Sequence, residues 1–279
     1  MHRARQYPRR RMLSFLPPRR PALVGVVHLP ALPGSPRSRL SMDAIVRHAV
    51  QDARAYAQGG ADALIVENFG DAPFARGSVE SETVAAMALC IASVRTACDL
   101  PLGVNVLRND ARSALGLCLA TGASFLRVNV LAGAAVTDQG IVEGAAYELL
   151  RARARLAPGV AILADAHVKH ATQLSSESLA EACEELVGRS LADAVVVSGR
   201  ATGKAPAPAE VAEAARGAAG APVLLGSGVT LENAASLCRA ARGAIVGSAL
   251  KQGGDLSAPV DAARVRALRE CFDRLGAGA

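Results

Sequence analysis

Short apolar runs alternate with longer amphipathic stretches along almost the whole chain. The apolar runs are rich in Val, Ile and Leu and predict strands at 22–29, 63–68, 102–107, 125–131, 161–168, 194–199, 222–228 and 244–250. Between them, Ala-rich stretches with helical periodicity predict helices at 42–58, 81–97, 110–121, 143–156, 177–189, 208–217, 231–240 and 258–275. Strands that are apolar on both faces and separated by helices are typical of a parallel sheet covered by those helices.

The number of these units predicts the fold. Eight strand–helix units in 279 residues match an α/β protein with a single-domain (β/α)8 TIM barrel, which needs about 250 residues. Ser41 and Ser81 precede helical patterns and are plausible N-caps. A doubly wound open sheet is the competing fold, but the first strand is not followed by the G-x-G-x-x-G that such sheets use for dinucleotides. We therefore predict a barrel over residues 21–279.

The charge of the chain is concentrated in its first 20 residues. The formal net charge is +6, but residues 1–20 contain seven Arg and no acid, so the rest of the chain carries −1. We expect this Arg-rich tail to be disordered. An arm that binds nucleic acid or a membrane surface is the less favoured alternative, and a mis-called start is another. A near-neutral body with 3% aromatic residues and no Trp also argues against a nucleic-acid partner.

The length of the apolar stretches and the pattern of cysteines predict the environment of the protein. No apolar stretch reaches the roughly 18 residues of a membrane span. The six cysteines form no C-x-x-C pair and mostly fall in apolar helical patterns, which predicts buried thiols in a reducing cytoplasm. A homo-oligomer is possible, and nothing in the sequence decides it.

Polar residues fall at the ends of the predicted strands, where TIM barrels carry their active sites. In "ILADAHVKHA", Asp165, His167 and Lys169 occupy every second position, so an unbroken strand would point them all into the barrel. Burial of such groups is costly without partners or a function. Six further residues at strand ends are candidates for binding substrate: His28, Asn68, Asn105, Arg127, Asn129 and Ser198.

The candidate catalytic residues permit several chemistries. Glu67, Asp165 and His167 are predicted to transfer protons, with a carboxylate orienting the imidazole. Lys169 is interpreted as a cation that stabilises an oxyanion, and a Schiff-base role is the alternative. Glu67, Asp165 and His167 could instead bind a divalent metal ion, although no metal-binding spacing supports this and no cofactor is predicted. A purely structural polar layer is the remaining interpretation.

The seventh and eighth predicted strands end differently from the others. "LLGSGVT" places Gly226, Ser227 and Gly228 after the seventh strand, and "IVGSAL" places Gly247 and Ser248 after the eighth. TIM barrels often bind phosphate with backbone N–H groups at these two positions. We therefore predict a phosphate site and a phosphorylated small-molecule substrate.

Several of these segments together resemble the BtpA family, which includes SgcQ-type proteins. The resemblance is carried by "GVVHLPALPGSP", "VENFGDAPF", "FLRVNVLAGAAVTDQGIVEG", "ADAHVKHA", "VVVSGRATG" and "VLLGSGVTLEN", and it runs from about Pro21 to Leu275. It differs at Ala166, where the family is expected to have Val. The resemblance implies a TIM barrel but no defined reaction. The cyanobacterial namesake is linked to photosystem I biogenesis.

Two classes of function follow from these observations. The first is an enzyme that acts on a sugar phosphate or nucleoside phosphate by acid–base chemistry. The second, suggested by the family name, is a non-enzymatic factor for the assembly or stability of a membrane protein complex. An inert scaffold does not require polar groups at almost every strand end, so the sequence favours the enzyme.

Overall fold

The computed structural model describes residues 11, 13–199 and 203–277. The strands are β1 (Ala22–His28), β2 (Ala63–Glu67), β3 (Leu102–Asn105), β4 (Phe125–Val128), β5 (Ala134–Thr137), β6 (Gly140–Glu143), β7 (Ala161–Ala166), β8 (Ala171–Gln173), β9 (Ala194–Val197), β10 (Val223–Leu225) and β11 (Gly243–Val246). Eight of them close into a parallel barrel in the order β1-β2-β3-β4-β7-β9-β10-β11, and β11 pairs with β1. The predicted (β/α)8 barrel is confirmed.

In the described part of the chain, eight helices surround this barrel. They are α1 (Met42–Gly59), α2 (Ser81–Ala97), α3 (Ala111–Thr121), α4 (Ala146–Leu156), α5 (Leu179–Gly188), α6 (Pro208–Gly217), α7 (Ala234–Leu237) and α8 (Ala262–Ala277). Ser41 caps α1 as predicted, because its hydroxyl accepts a hydrogen bond from the Ala44 amide. Ser81 instead lies inside α2, and Glu80 precedes the helix without capping it. The predicted helix at 231–240 shortens to one turn, α7.

Two apolar layers hold the fold together. Alternate strand residues such as Val24, Ile65 and Leu163 fill the barrel interior, and their neighbours on the same strands pack outward against the helices. Five of the six unpaired cysteines are buried, and Cys98 is partly buried. Burial raises the pKa of the Cys90 and Cys118 thiols to about 12. These thiols are therefore packing groups.

The segment before β1 differs from the expected disordered tail. Leu13 and Phe15 are buried among the interior side chains, and the Phe15 ring lies 4.7 Å from that of Phe125. Arg20 forms ion pairs with Asp62 and Asp273. The packed chain thus begins before residue 21, because two apolar side chains close the amino-terminal end of the barrel. Of the remaining Arg residues of the tail, those at 3, 5, 9 and 10 lie outside the described residues.

A second, antiparallel sheet of three strands, β6-β5-β8, was not predicted. Its inner face buries Ala135 and Val142 against Val130 and Val168 in a small separate core. The strands have three or four residues each, which is too short for a recognisable alternation of polar and apolar positions. In the described part of the chain, no helix is long and apolar enough to cross a bilayer.

Candidate functional site

Glu67 lies at the carboxyl end of β2, beside the end of β3. The parallel register aligns Glu67 with Asn105, whose amide donates a 3.0 Å hydrogen bond to Oε2 of Glu67. Both side chains are almost completely buried, and both line a cavity at the barrel mouth. The register of two strands therefore anchors one carboxylate oxygen and directs the group toward that cavity.

Asp165 accepts hydrogen bonds from Arg127 on the neighbouring strand β4 and from Asn129, which directly follows that strand. Arg127 donates two hydrogen bonds to its carboxylate, at 2.8 and 2.9 Å, and Asn129 donates a third at 2.8 Å. Burial tends to lower the pKa of Arg127, but the adjacent Asp165 charge raises it overall. The Arg127–Asp165 pair is thus a fixed ionic contact at the floor of the mouth, in which Asp165 orients the guanidinium.

The side chains of Asp165, His167 and Lys169 do not share one face. Strand β7 ends at Ala166, and His167 adopts a left-handed backbone with φ of 53°. The strand alternation therefore stops before His167. His167 lines a side cavity between β7 and α5 together with Asn129 and Asp165, whereas Lys169 returns to the barrel mouth.

The five residues predicted to bind phosphate lie together in one cavity of about 180 Å³, which we call the loop cavity. It is bounded by the segments after β10 and β11 and holds Gly226, Ser227, Gly228, Gly247 and Ser248. His28, Glu67, Arg127 and Lys169 line the same cavity. Ser248 begins a short 3-10 turn, so the start of a helical turn lies at this cavity.

Packing also requires glycine in these loops. A Cβ atom on Gly228, whose φ is +73°, would lie 2.1 Å from the Ala205 amide nitrogen. A Cβ atom on Gly247 would lie 2.5 Å from the His28 ring. Substituting either glycine would therefore disturb the loops whether or not a ligand binds.

His28 ends β1 at the wall of the loop cavity. Its ring lies 4.8 Å from that of Phe69, and its Nδ1 is buried without a hydrogen-bond partner among the described residues. Burial lowers the pKa of His28 to about 4, against the opposing charge of Glu67. The imidazole is therefore neutral at pH 7 and can bind a ligand only as a neutral donor or acceptor.

A second, larger cavity of about 440 Å³ adjoins the first, and we call it the mouth cavity. The two cavities share Glu67, Arg127 and Lys169. The pKa of Lys169 is lowered, first by burial and then by the charge of Arg127. This amine is therefore more easily deprotonated than an exposed lysine.

Four predicted site residues lie outside both cavities. Asn68 braces a loop, because its side chain accepts from the Leu107 amide at 2.7 Å and donates to Asp71. Ser198 follows β9, and its buried hydroxyl has no partner among the described residues. Asp165 and His167 line the side cavity, although the Asp165 carboxylate accepts hydrogen bonds from Arg127. The two cavities therefore bring together Glu67, Lys169, His28, Asn105, Arg127, Asn129 and the five loop residues, but not these four.

The mouth-cavity residues that sequence reasoning overlooked include Phe69, Phe74 and Arg108. Arg108 follows the third strand in "LRND", and its position was a signal that could have been used. The two phenylalanines stand in a loop of a chain with five Phe in all, which was a second signal.

A buried ion pair supports the loop cavity from behind. Lys251 is completely buried and donates to Asp52 on α1 and to the Ala258 carbonyl, both at 2.9 Å. These contacts hold the segment 251–260, which supplies Gly254 and Leu256 to the loop-cavity wall.

The predicted metal-binding trio is not assembled. Asp165 is saturated by Arg127 and Asn129, and His167 lies in the side cavity apart from Glu67. Within the described residues, no group of three or more His, Cys, Asp or Glu side chains is placed to hold a metal ion.

These features define a (β/α)8 barrel with a polar, partly cationic mouth and glycine-rich loops after its last two strands. The family profile described as "BtpA family" matches residues 19–274. The chain belongs to the BtpA family. It is 46% identical over 250 residues to the photosystem I biogenesis protein BtpA of Synechocystis sp., covering 90% of this chain and 87% of that protein.

Solved structures share the fold at low sequence identity. The (S)-3-O-geranylgeranylglyceryl phosphate synthase of Thermoplasma acidophilum superposes with a TM-score of 0.59 at 12% identity, over 91% of this chain and 94% of that one. The phosphoribosyl anthranilate isomerase of Thermus thermophilus gives 0.55 at 14% identity, over 91% and 99% of the two chains. Both are TIM-barrel neighbours of this chain.

Proposed function

We propose that this protein is an enzyme that acts on a small phosphorylated metabolite at the carboxyl-terminal mouth of the barrel. One observation carries the proposal: the loops after β10 and β11 share a cavity with Glu67, Arg127 and Lys169. The glycine–serine loops predicted to bind phosphate and the candidate catalytic groups therefore line the same cavity. Two structural neighbours whose names include phosphorylated compounds share the fold, which supports the proposal.

Buried polar atoms that lack hydrogen-bond partners support ligand binding at the mouth of the barrel. His28 Nδ1, Arg108 Nε and Asn129 Oδ1 are buried without partners among the described residues. Burying an unsatisfied polar atom costs about 1–3 kcal/mol, so a protein gains little from such atoms unless a ligand satisfies them. All three belong to residues that line the loop cavity or the mouth cavity.

Glu67 is the proposed proton-transfer group, because Asp165 is held by Arg127 and Asn129. Asn105 fixes one oxygen of Glu67, which limits the carboxylate to one orientation toward the substrate. Arg127 provides a positioned cation for developing negative charge. Lys169 lines both cavities, and its proposed role is that of a second cation or, with its lowered pKa, of a base or nucleophile.

A thermal-shift screen with inorganic phosphate, glycerol 3-phosphate and ribose 5-phosphate tests the proposal. A compound at 100 times its Kd stabilises the protein by about 2.7 kcal/mol. For a chain of this size that is a rise in Tm of roughly 5 °C. Ser248→Glu introduces a negative charge at the loop cavity and should abolish the shift. Ser236→Glu makes the same change at an exposed position on α7 and should retain it.

The alternative function is assembly or stabilisation of a membrane protein complex, as the name of the Synechocystis relative states for that protein. It predicts no shift with any phosphate compound. It also predicts that Ser248→Glu is indistinguishable from Ser236→Glu in every ligand assay. That pair of results would refute the phosphate-enzyme proposal.

A further inference from the structure

The mouth cavity has an aromatic wall in a chain that is poor in aromatic residues. The protein contains five Phe, three Tyr and no Trp, yet Phe69 and Phe74 both line this cavity. Both side chains are only half-buried, so part of each apolar surface stays exposed. Core packing gains nothing from that exposed part, whereas a planar ligand would cover it.

Cationic donors line the same cavity. Arg108 is 5% exposed and donates through Nη2 to the Lys169 carbonyl at 2.6 Å, while its Nε is buried without a partner among the described residues. Lys169 contributes an amine. A ring that carries carbonyl or ring-nitrogen acceptors could satisfy these donors while its faces contact the phenyl groups.

The two cavities share three residues, and this indicates how a phosphate group and a planar ring would be joined in one ligand. The loop cavity, at about 180 Å³, suits a compact phosphate group, and the mouth cavity, at about 440 Å³, suits a ring. Glu67, Arg127 and Lys169 belong to both, so the linking part of a ligand would pass over them. A pentose is a linker of the size that separates a phosphate from a planar base.

Building on the proposed function, we propose that the substrate is a nucleoside 5′-monophosphate or a closely similar phosphoribosyl compound with a planar ring. The phosphate occupies the loop cavity, the ring contacts Phe69 and Phe74, and the pentose faces Glu67. The aromatic wall and the unpartnered donor on Arg108 favour this class over a simple sugar phosphate.

Calorimetric titration of the full-length protein with inorganic phosphate, ribose 5-phosphate, uridine 5′-monophosphate and adenosine 5′-monophosphate tests the inference. At least one nucleotide should bind tenfold or more tightly than ribose 5-phosphate. Phe74→Ala should remove about tenfold of nucleotide affinity, equivalent to about 1.4 kcal/mol. The same variant should change ribose 5-phosphate binding by less than twofold. Tyr147→Ala removes a 69% exposed aromatic ring on α4 and should change neither affinity.

The outcomes separate the inference from the proposed function. If none of the phosphate compounds binds, the proposed function fails and the inference fails with it. If ribose 5-phosphate and both nucleotides bind the unaltered protein with equal affinity, the phosphate site stands and the ring site is refuted. That comparison needs no variant, so it remains decisive if Phe74→Ala does not fold.

Discussion

The Arg127–Asp165 pair offers the sharpest test of how the mouth of the barrel is built. Asp165→Asn keeps the shape of the side chain but removes its charge, which leaves the Arg127 guanidinium buried without a counter-ion. Both side chains are at most 3% exposed, so solvent compensates only weakly for the lost partner. Removing one member of such a pair costs about 3–5 kcal/mol. Because the introduced amide could still accept a hydrogen bond from Arg127, we expect the lower end, about 3 kcal/mol.

Circular dichroism melting at pH 7 measures this effect. A loss of about 3 kcal/mol corresponds to a fall in Tm of roughly 6 °C for a protein of this size. The double variant Arg127→Met/Asp165→Asn removes the unpaired charge and should recover at least half of that loss. Asp193→Asn is the matched control, because Asp193 pairs with Arg153 at 2.7 Å and lies just before β9, away from both cavities.

Asp165→Asn and Asp193→Asn should differ in how much phosphate compounds raise their Tm. Both should lower the Tm, but only Asp165→Asn should also weaken the phosphate-dependent shift, because Arg127 lines the loop cavity. A Tm within about 1 °C of the unaltered protein for Asp165→Asn would refute the reasoning, since the loss expected for an unpaired buried charge is several times larger. The reasoning would also be refuted if the double variant Arg127→Met/Asp165→Asn lost as much stability as Arg127→Met alone and Asp165→Asn alone lose together.

Two further predictions concern His28 and the amino-terminal segment. The folded-state pKa of His28, about 4, lies below its ordinary value of 6.5, so the unfolded chain takes up the proton first as the pH falls. The stability it contributes above pH 6.5 is lost toward pH 4. Urea unfolding measures the free energy of unfolding at pH 7 and at about pH 4.5. Between these pH values the unaltered protein should lose about 2 kcal/mol more than His28→Asn. Equal losses in the two proteins would contradict a neutral, buried imidazole. Phe15→Ala should lower the Tm by roughly 6 °C, since deleting a buried phenyl ring costs about 3 kcal/mol or more. Ser14→Ala, at the exposed neighbouring position, is its control, and an unchanged Tm in Phe15→Ala would mean that the segment does not close the barrel.

Most of the barrel could be predicted from local patterns. Each strand and helix encodes its own periodicity, and the helices at 81–97 and 208–217 match the structure end for end. The small β6-β5-β8 sheet escaped prediction because strands of three or four residues carry too little periodicity. The segment at 13–20 was misjudged because its charge is obvious, whereas the burial of Leu13 and Phe15 depends on an opening that forms only when the barrel closes.

The sequence by itself determined where reactive groups could be. Polar residues at strand ends and glycine–serine turns after the last two strands must gather at one end of a (β/α)8 barrel, because parallel strands all end on the same side. What each group can do was decided by tertiary structure. Asp165 is held by Arg127, which lies 38 residues away in the chain. His167 has a left-handed backbone and lines the side cavity instead of the mouth. The protonation state, the orientation and the hydrogen-bond partners of these side chains depend on burial and on charges from distant segments. Both exist only once the chain has folded.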